Sequence, residues 1–155
     1  MVGFKHAIGS KAKDKVSSYE GIIIGRSEWF YGCRRYILQS QTLKDGVPVA
    51  SYAVDEDAIQ IIETAKDKES NFKHELGSKV RDKATTCEGV IQARTQWLYS
   101  SNRYNIQSQI LKDGLPAEQI GVEEKAIEVI KAEEPHKMKK SGGPSGVAAR
   151  SQQAK

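Results

Sequence analysis

Apolar and polar side chains alternate residue by residue over short stretches of this chain. Ile91, Ala93, Thr95 and Trp97 fall on one side of such a stretch, and Gln92, Arg94 and Gln96 on the other. A period of two is the signature of a β-strand with one buried face. Ile23, Gly25, Ser27 and Trp29 take the corresponding face upstream. A second alternation sets Tyr104, Ile106 and Ser108 against Arg103, Asn105, Gln107 and Gln109. Each is followed by Lys-Asp-Gly with a proline two residues on, which predicts tight turns at Asp45-Gly46 and Asp113-Gly114. GSKVRDK reads as an edge strand whose alternating charges discourage foreign pairing. DEDAIQII and EEKAIEVI read as a helical turn leading into a last short strand.

The same pattern occurs twice. His6 to Ile62 aligns without a gap on His74 to Ile130, an offset of 68 residues (6 to 74), with roughly half the positions identical. A repeat of this kind makes each copy one supersecondary unit or one small domain. About five short strands with one buried face fit a small barrel better than an open sheet. The expected fold is therefore all-β: a barrel over 1–62, a polar linker over 63–73, a second barrel over 74–130, and a flexible, basic, low-complexity C-terminal arm over 131–155. Units of this size have marginal cores. Pairing of the two, or homo-oligomerisation, is expected.

Charge changes this picture in one respect. The formal net charge is +4. Residues 1–130 carry 18 basic and 18 acidic side chains, and residues 131–155 carry six and two, so the excess is confined to the arm. A basic tail differs from a basic groove. No apolar run reaches the roughly 18 to 20 residues of a membrane-spanning helix, and the opening MVGFKHAIGSK lacks the core of a secretory signal. We expect no membrane association. Cys33 and Cys87 occupy different positions in the two copies, so a repeated disulfide or a metal quartet is not expected.

No residue constellation names a reaction. His6 and His74 stand at equivalent positions with no carboxylate or cysteine at ligand spacing. There is neither a nucleophile-elbow pattern nor a phosphate-cradling loop. The chain is expected to be non-enzymatic, without cofactor or metal. The outward side of the middle strands is more informative. Arg26, Arg35 and Gln39 recur as Arg94, Arg103 and Gln107, placed by alternation away from the core. The recurrence has two readings, a recent duplication or a binding face of guanidinium forks and amides. Trp29 with Tyr31 and Trp97 with Tyr99 stand at the strand ends, as core-and-rim aromatics or as ligand contacts. With Lys137, Lys139 and Lys140 of the arm, these complete the candidate binding residues.

At GSKxxDK, EGxIxxR, Trp-x-Tyr, RYxxQSQ and DGxP the chain resembles the SH3-like small barrels. It is most similar to short bacteriophage-encoded proteins with a GSKVxDKxTGFxGI-type opening. The resemblance implies two tandem SH3-like barrels in a phage protein located in the virion or the host cytoplasm. Its expected role is protein–protein interaction as a decoration or connector component, with capsid, tail or host proteins as partners. The alternative is a nucleic-acid or nucleotide-binding module, including an inhibitor of a host function, with nucleic acid held by the arm. A weaker resemblance links Ile127-Glu128-Val129-Ile130 to the ending of the type II dihydrofolate reductases. Their Gln-Ile-Tyr motif is replaced here by Gln119-Ile120-Gly121, displaced by one position, which would turn its side chains to the opposite face.

Overall fold

The computed structural model describes residues 3–133. Lys137, Lys139 and Lys140, with the rest of the basic segment from 134, lie outside the described residues.

The structure is all-β and antiparallel, as the alternation predicts. The first copy contributes β1 (Lys11–Asp14), β2 (Glu20–Trp29), β3 (Arg34–Gln39), β4 (Leu43–Lys44), β5 (Val47–Pro48), β6 (Tyr52–Asp55) and β7 (Ile59–Glu63). The second repeats them as β8 (Lys79–Asp82), β9 (Glu88–Trp97), β10 (Arg103–Gln107), β11 (Leu111–Lys112), β12 (Leu115–Pro116), β13 (Ile120–Glu123) and β14 (Ile127–Lys131). Within each copy the main strands pair in the order β7-β1-β2-β3-β6 and β14-β8-β9-β10-β13. A single 3-10 turn joins the two end strands of each set, and no ladder pairs those ends directly among the described residues. None of the described helices is long and apolar enough to cross a membrane.

The turns follow their sequences. Asp45 and Gly46 both have positive φ (53° and 77°), as do Asp113 and Gly114 (54° and 78°), the backbone of a type I′ hairpin. The β1-β2 turn is built by Asp14, whose carboxylate accepts from the Val16 amide at 3.0 Å and the Ser17 hydroxyl at 2.7 Å. Asp82 does the same for Ala84 and Thr85. Ser18 and Thr86 close these turns at φ 66° and 63°. They stand where the phage pattern has glycine, and a β-branched residue there is held against its own preference.

Two equivalent cores fill the copies. Ile8, Ala12, Ile23, Tyr36, Leu38, Val54 and Ile59 form one, and Leu76, Val80, Ile91, Tyr104, Ile106, Val122 and Ile127 the other, position for position. The copies are not joined by the linker alone. β2 is ten residues long, and one of its edges is shared. Its first residues pair with β1, and Gly25 to Trp29 pair antiparallel with Trp97 to Ala93 of β9. One ten-stranded sheet therefore runs through both copies. Ser27 lies opposite its own counterpart Thr95, with hydroxyls 3.0 Å apart, so the copies are related by a pseudo-twofold axis at that pair.

Beyond the ladder the copies exchange side chains. Phe30 packs against the second core, its amide donating to the Gln92 carbonyl at 2.7 Å. Leu98 reciprocates on the first core, its amide donating to the Ile24 carbonyl at 2.8 Å. Phe30→Ala should therefore destabilise the second copy from a residue of the first. The expected loss is on the order of 2 kcal/mol, below the range for a fully buried phenylalanine because the ring is only half-buried. Denaturant unfolding should show a single shifted transition, and an unchanged midpoint would show that the ring contributes nothing across the junction.

Candidate functional site

The candidate residues separate into three groups once placed on the sheet. The first consists of Arg26 and Arg94, which the alternation turned outward. The structure buries both, at 2% and 7% exposure. The cause is a register shift in β2 between Ile23 and Gly25, matched in β9 opposite Asn105 and Ile106. An extra residue in one strand inverts the faces of everything that follows. Arg26 thus shares the inner face with Tyr36, its partner across β2-β3, and Arg94 shares it with Tyr104. Gly25 moves to the other face beneath Trp97, where a Cβ would lie 2.9 Å from the indole. Trp29 takes the twin place opposite Ala93. Both tryptophans are half-buried at the junction between the copies.

Every guanidinium nitrogen here has a partner within the protein. Arg26 gives Nε to the Gln96 side chain (2.8 Å), Nη1 to the His6 carbonyl (2.8 Å) and to Asp67 (3.0 Å), and Nη2 to the Lys68 carbonyl (2.7 Å). Its charged plane lies 4.6 Å from the Phe4 ring. Arg94 repeats this with Phe72 at 4.7 Å and the His74 carbonyl at 2.9 Å. It meets Glu28 where Arg26 has Gln96, through Nε and Nη2, both at 2.9 Å. Glu28 also binds Arg34 at 3.2 Å. One carboxylate is therefore shared by two arginines, with Glu75 as a second, longer partner of Arg94 at 3.7 Å, while Arg26 relies on Asp67 from the linker. Among the described residues no buried side-chain nitrogen or oxygen lacks a partner.

Arg35, Gln39, Arg103 and Gln107 form the second group and keep their outward direction. Arg35 pairs with Asp55 at 3.0 Å and Arg103 with Glu123 at 3.8 Å, each across a ladder. Gln39 donates to the Val49 carbonyl at 2.8 Å, and Gln107 to the Ala117 carbonyl at 2.7 Å. These amides brace the excursion that carries each type I′ hairpin. Each of these recurring Arg and Gln side chains thus has an intramolecular partner.

The third group is exposed. Tyr31 and Tyr99 cap the β2-β3 and β9-β10 loops at 77% and 88% exposure. Other exposed apolar residues were missed in the sequence reading: Leu43 and Val47 on the first hairpin, and Ile110, Leu111 and Leu115 on and beside the second. The signal was present, since LKDGVP recurs as LKDGLP. Asp and Gly are needed for the turn, but the flanking leucines belong to neither core.

The histidines have a local role. The Tyr36 hydroxyl donates to Glu56 at 2.5 Å and accepts from the His6 amide, and Tyr104 binds Glu124 and the His74 amide in the same way. Burial, then the adjacent carboxylate, pushes both phenols well above the usual tyrosine range. No cluster of three His, Cys, Asp or Glu side chains that could hold a metal occurs among the described residues. Comparison with protein families, curated proteins and solved structures finds no match to this chain.

Glu28→Gln would remove the carboxylate that Arg34 and Arg94 share, leaving Arg94 only the longer contact to Glu75 at 3.7 Å. Breaking a buried pair from one side costs about 3 to 5 kcal/mol, and urea unfolding followed by tryptophan fluorescence should register a loss of this size. The turn carboxylates set an acid dependence. The Ser17 hydroxyl holds Asp14 below its ordinary value, and the Thr85 hydroxyl does so for Asp82. Burial pushes Glu124 up, but the Tyr104, Lys73 and Asn102 donors outweigh it and leave it lowered. Groups lowered on folding stabilise the protein above their unfolded value of about 4 and lose that contribution as pH falls through the folded one. The melting temperature should be level above about pH 5 and drop below about pH 4. In Asp14→Asn/Asp82→Asn it should start lower and fall less steeply.

Proposed function

We propose that this chain is a non-enzymatic binding protein that acts through its surface. In line with its resemblance to short bacteriophage proteins, we propose a structural role in the virion as a decoration or connector component. The observation that carries the reading is the pair of apolar type I′ hairpins. Both copies retain them, both project their leucines into solvent, and neither core uses them. Exposed apolar groups that recur in both copies and that folding does not require are candidates for an interaction site. The exposed loop tyrosines, Tyr31 and Tyr99, add amphipathic rings of the kind enriched at such interfaces.

The buried state of Arg26 and Arg94 weighs in the same direction, because it removes the guanidinium groups that a nucleic-acid groove would have used. The described residues 3–133 carry 19 basic and 19 acidic side chains, so they have no net charge to attract phosphate.

Mass spectrometry of purified virions of the encoding phage should find the chain at high copy number, and Leu43→Lys/Leu111→Lys should lower that number without changing the melting temperature. Absence of the chain from particles, together with salt-sensitive retention on DNA or RNA, would replace this reading with the nucleic-acid one.

A further inference from the structure

The two hairpins are equivalent in backbone but not in surface. Repeat 1 offers Leu43 and Val47 after Thr42, whereas repeat 2 offers Leu111 and Leu115 after Ile110, at 60%, 67% and 77% exposure. Each hairpin is a two-stranded sheet that forms no ladder with the main sheet. Such a ribbon is marginal in water without further strands or a cover. Its two edges are also unlike. Lys112 and Leu115 flank the turn and face each other, and the next facing pair is Leu111 and Pro116. In a two-residue hairpin the flanking pair exchanges the ladder bonds, and the next pair turns its peptide groups outward. On the β12 edge that outward position is a proline, with no N–H to give. On the β11 edge it is Leu111, with both a donor and an acceptor.

The geometry points to self-association: β11 of one copy pairs edge to edge with β11 of a second copy of this chain. An antiparallel pair about a twofold axis at Leu111 lets the two leucines exchange both backbone hydrogen bonds. It sets each Ile110 against the aliphatic stem of the other copy's Lys112. Pro116 ends the new sheet at four strands, so the contact closes as a dimer and does not propagate. Charge permits a like-with-like contact, because Lys112 and Asp113 leave each hairpin without net charge. The size of the patch sets the strength. A few side chains per copy fall short of the about 800 Å² per partner of a standard interface, so the dimer is weak and concentration-dependent. This inference rests on the surface-binding reading and names one partner for the second of its two hairpins.

Sedimentation velocity and light scattering on the full chain over a wide concentration series test it. A reversible monomer–dimer equilibrium is expected. Leu111→Lys should weaken dimerisation by about tenfold or more, a cost of at least about 1.4 kcal/mol, with an unchanged melting temperature because the residue is exposed. Leu43→Lys, the same change on the other hairpin, should leave the equilibrium as it is. A chain monomeric at every concentration, a dimer indifferent to Leu111→Lys, or one equally sensitive to both variants would each overturn the proposal. The surface-binding reading is judged separately by virion copy number, so a monomeric chain that still enters particles would end this inference and leave that reading standing.

Discussion

The rest of the structure depends on the pairing of β2 with β9. Five residues from each copy form that ladder, and it decides what becomes of every polar group near it. By giving the later half of one β2 edge to the other copy, it takes Arg26, Ser27 and Glu28 out of water together. Those groups must then satisfy one another across the axis. Leaving them unpaired would cost several kcal/mol per ion. The linker follows from the same requirement. Its Asp67 carboxylate and the Lys68 carbonyl serve Arg26, while the Glu69 carbonyl accepts from Gln96. A segment that reads as a polar spacer is thus a fixed part of the junction.

Much of the fold was legible because it rests on local rules. Duplication shows in the sequence at a fixed offset, the type I′ turns show in Asp-Gly, and the core positions show in the alternation of Tyr36 with Leu38 and Tyr104 with Ile106. The shift between Ile23 and Gly25 was not read from the sequence: Gly25 is the kind of residue that marks a bulge, but its counterpart in the second copy is Ala93, so the repeat did not point to it. Once it was missed, parity assigned Arg26 and Arg94 to solvent. Trp29 and Trp97 were placed correctly at the strand ends, but their contact lies in the other copy, which no period-two argument can reveal.

A second miss had a visible signal. The repeat begins with Phe-Lys-His, at Phe4 and again at Phe72, and not with the histidine alone. Those two phenylalanines lie against the two buried guanidinium groups. A pair of identical aromatics just outside the aligned block, at the same offset, marks groups that cover something polar. The exposed leucines of LKDGVP and LKDGLP are the complementary case, where identity persists without any internal contact to explain it.

The charges at the axis differ on its two sides: Glu28 stands where the second copy has Gln96, and Arg34 where it has Asn102. Two separate identical subunits could not do this, because any residue placed on one side would appear on the other. Joining the halves in a single polypeptide frees each position to specialise. The junction uses that freedom to concentrate the negative charge in one place. A chain made of two second copies would have two buried arginines facing glutamines, so the asymmetry also records which half belongs with which.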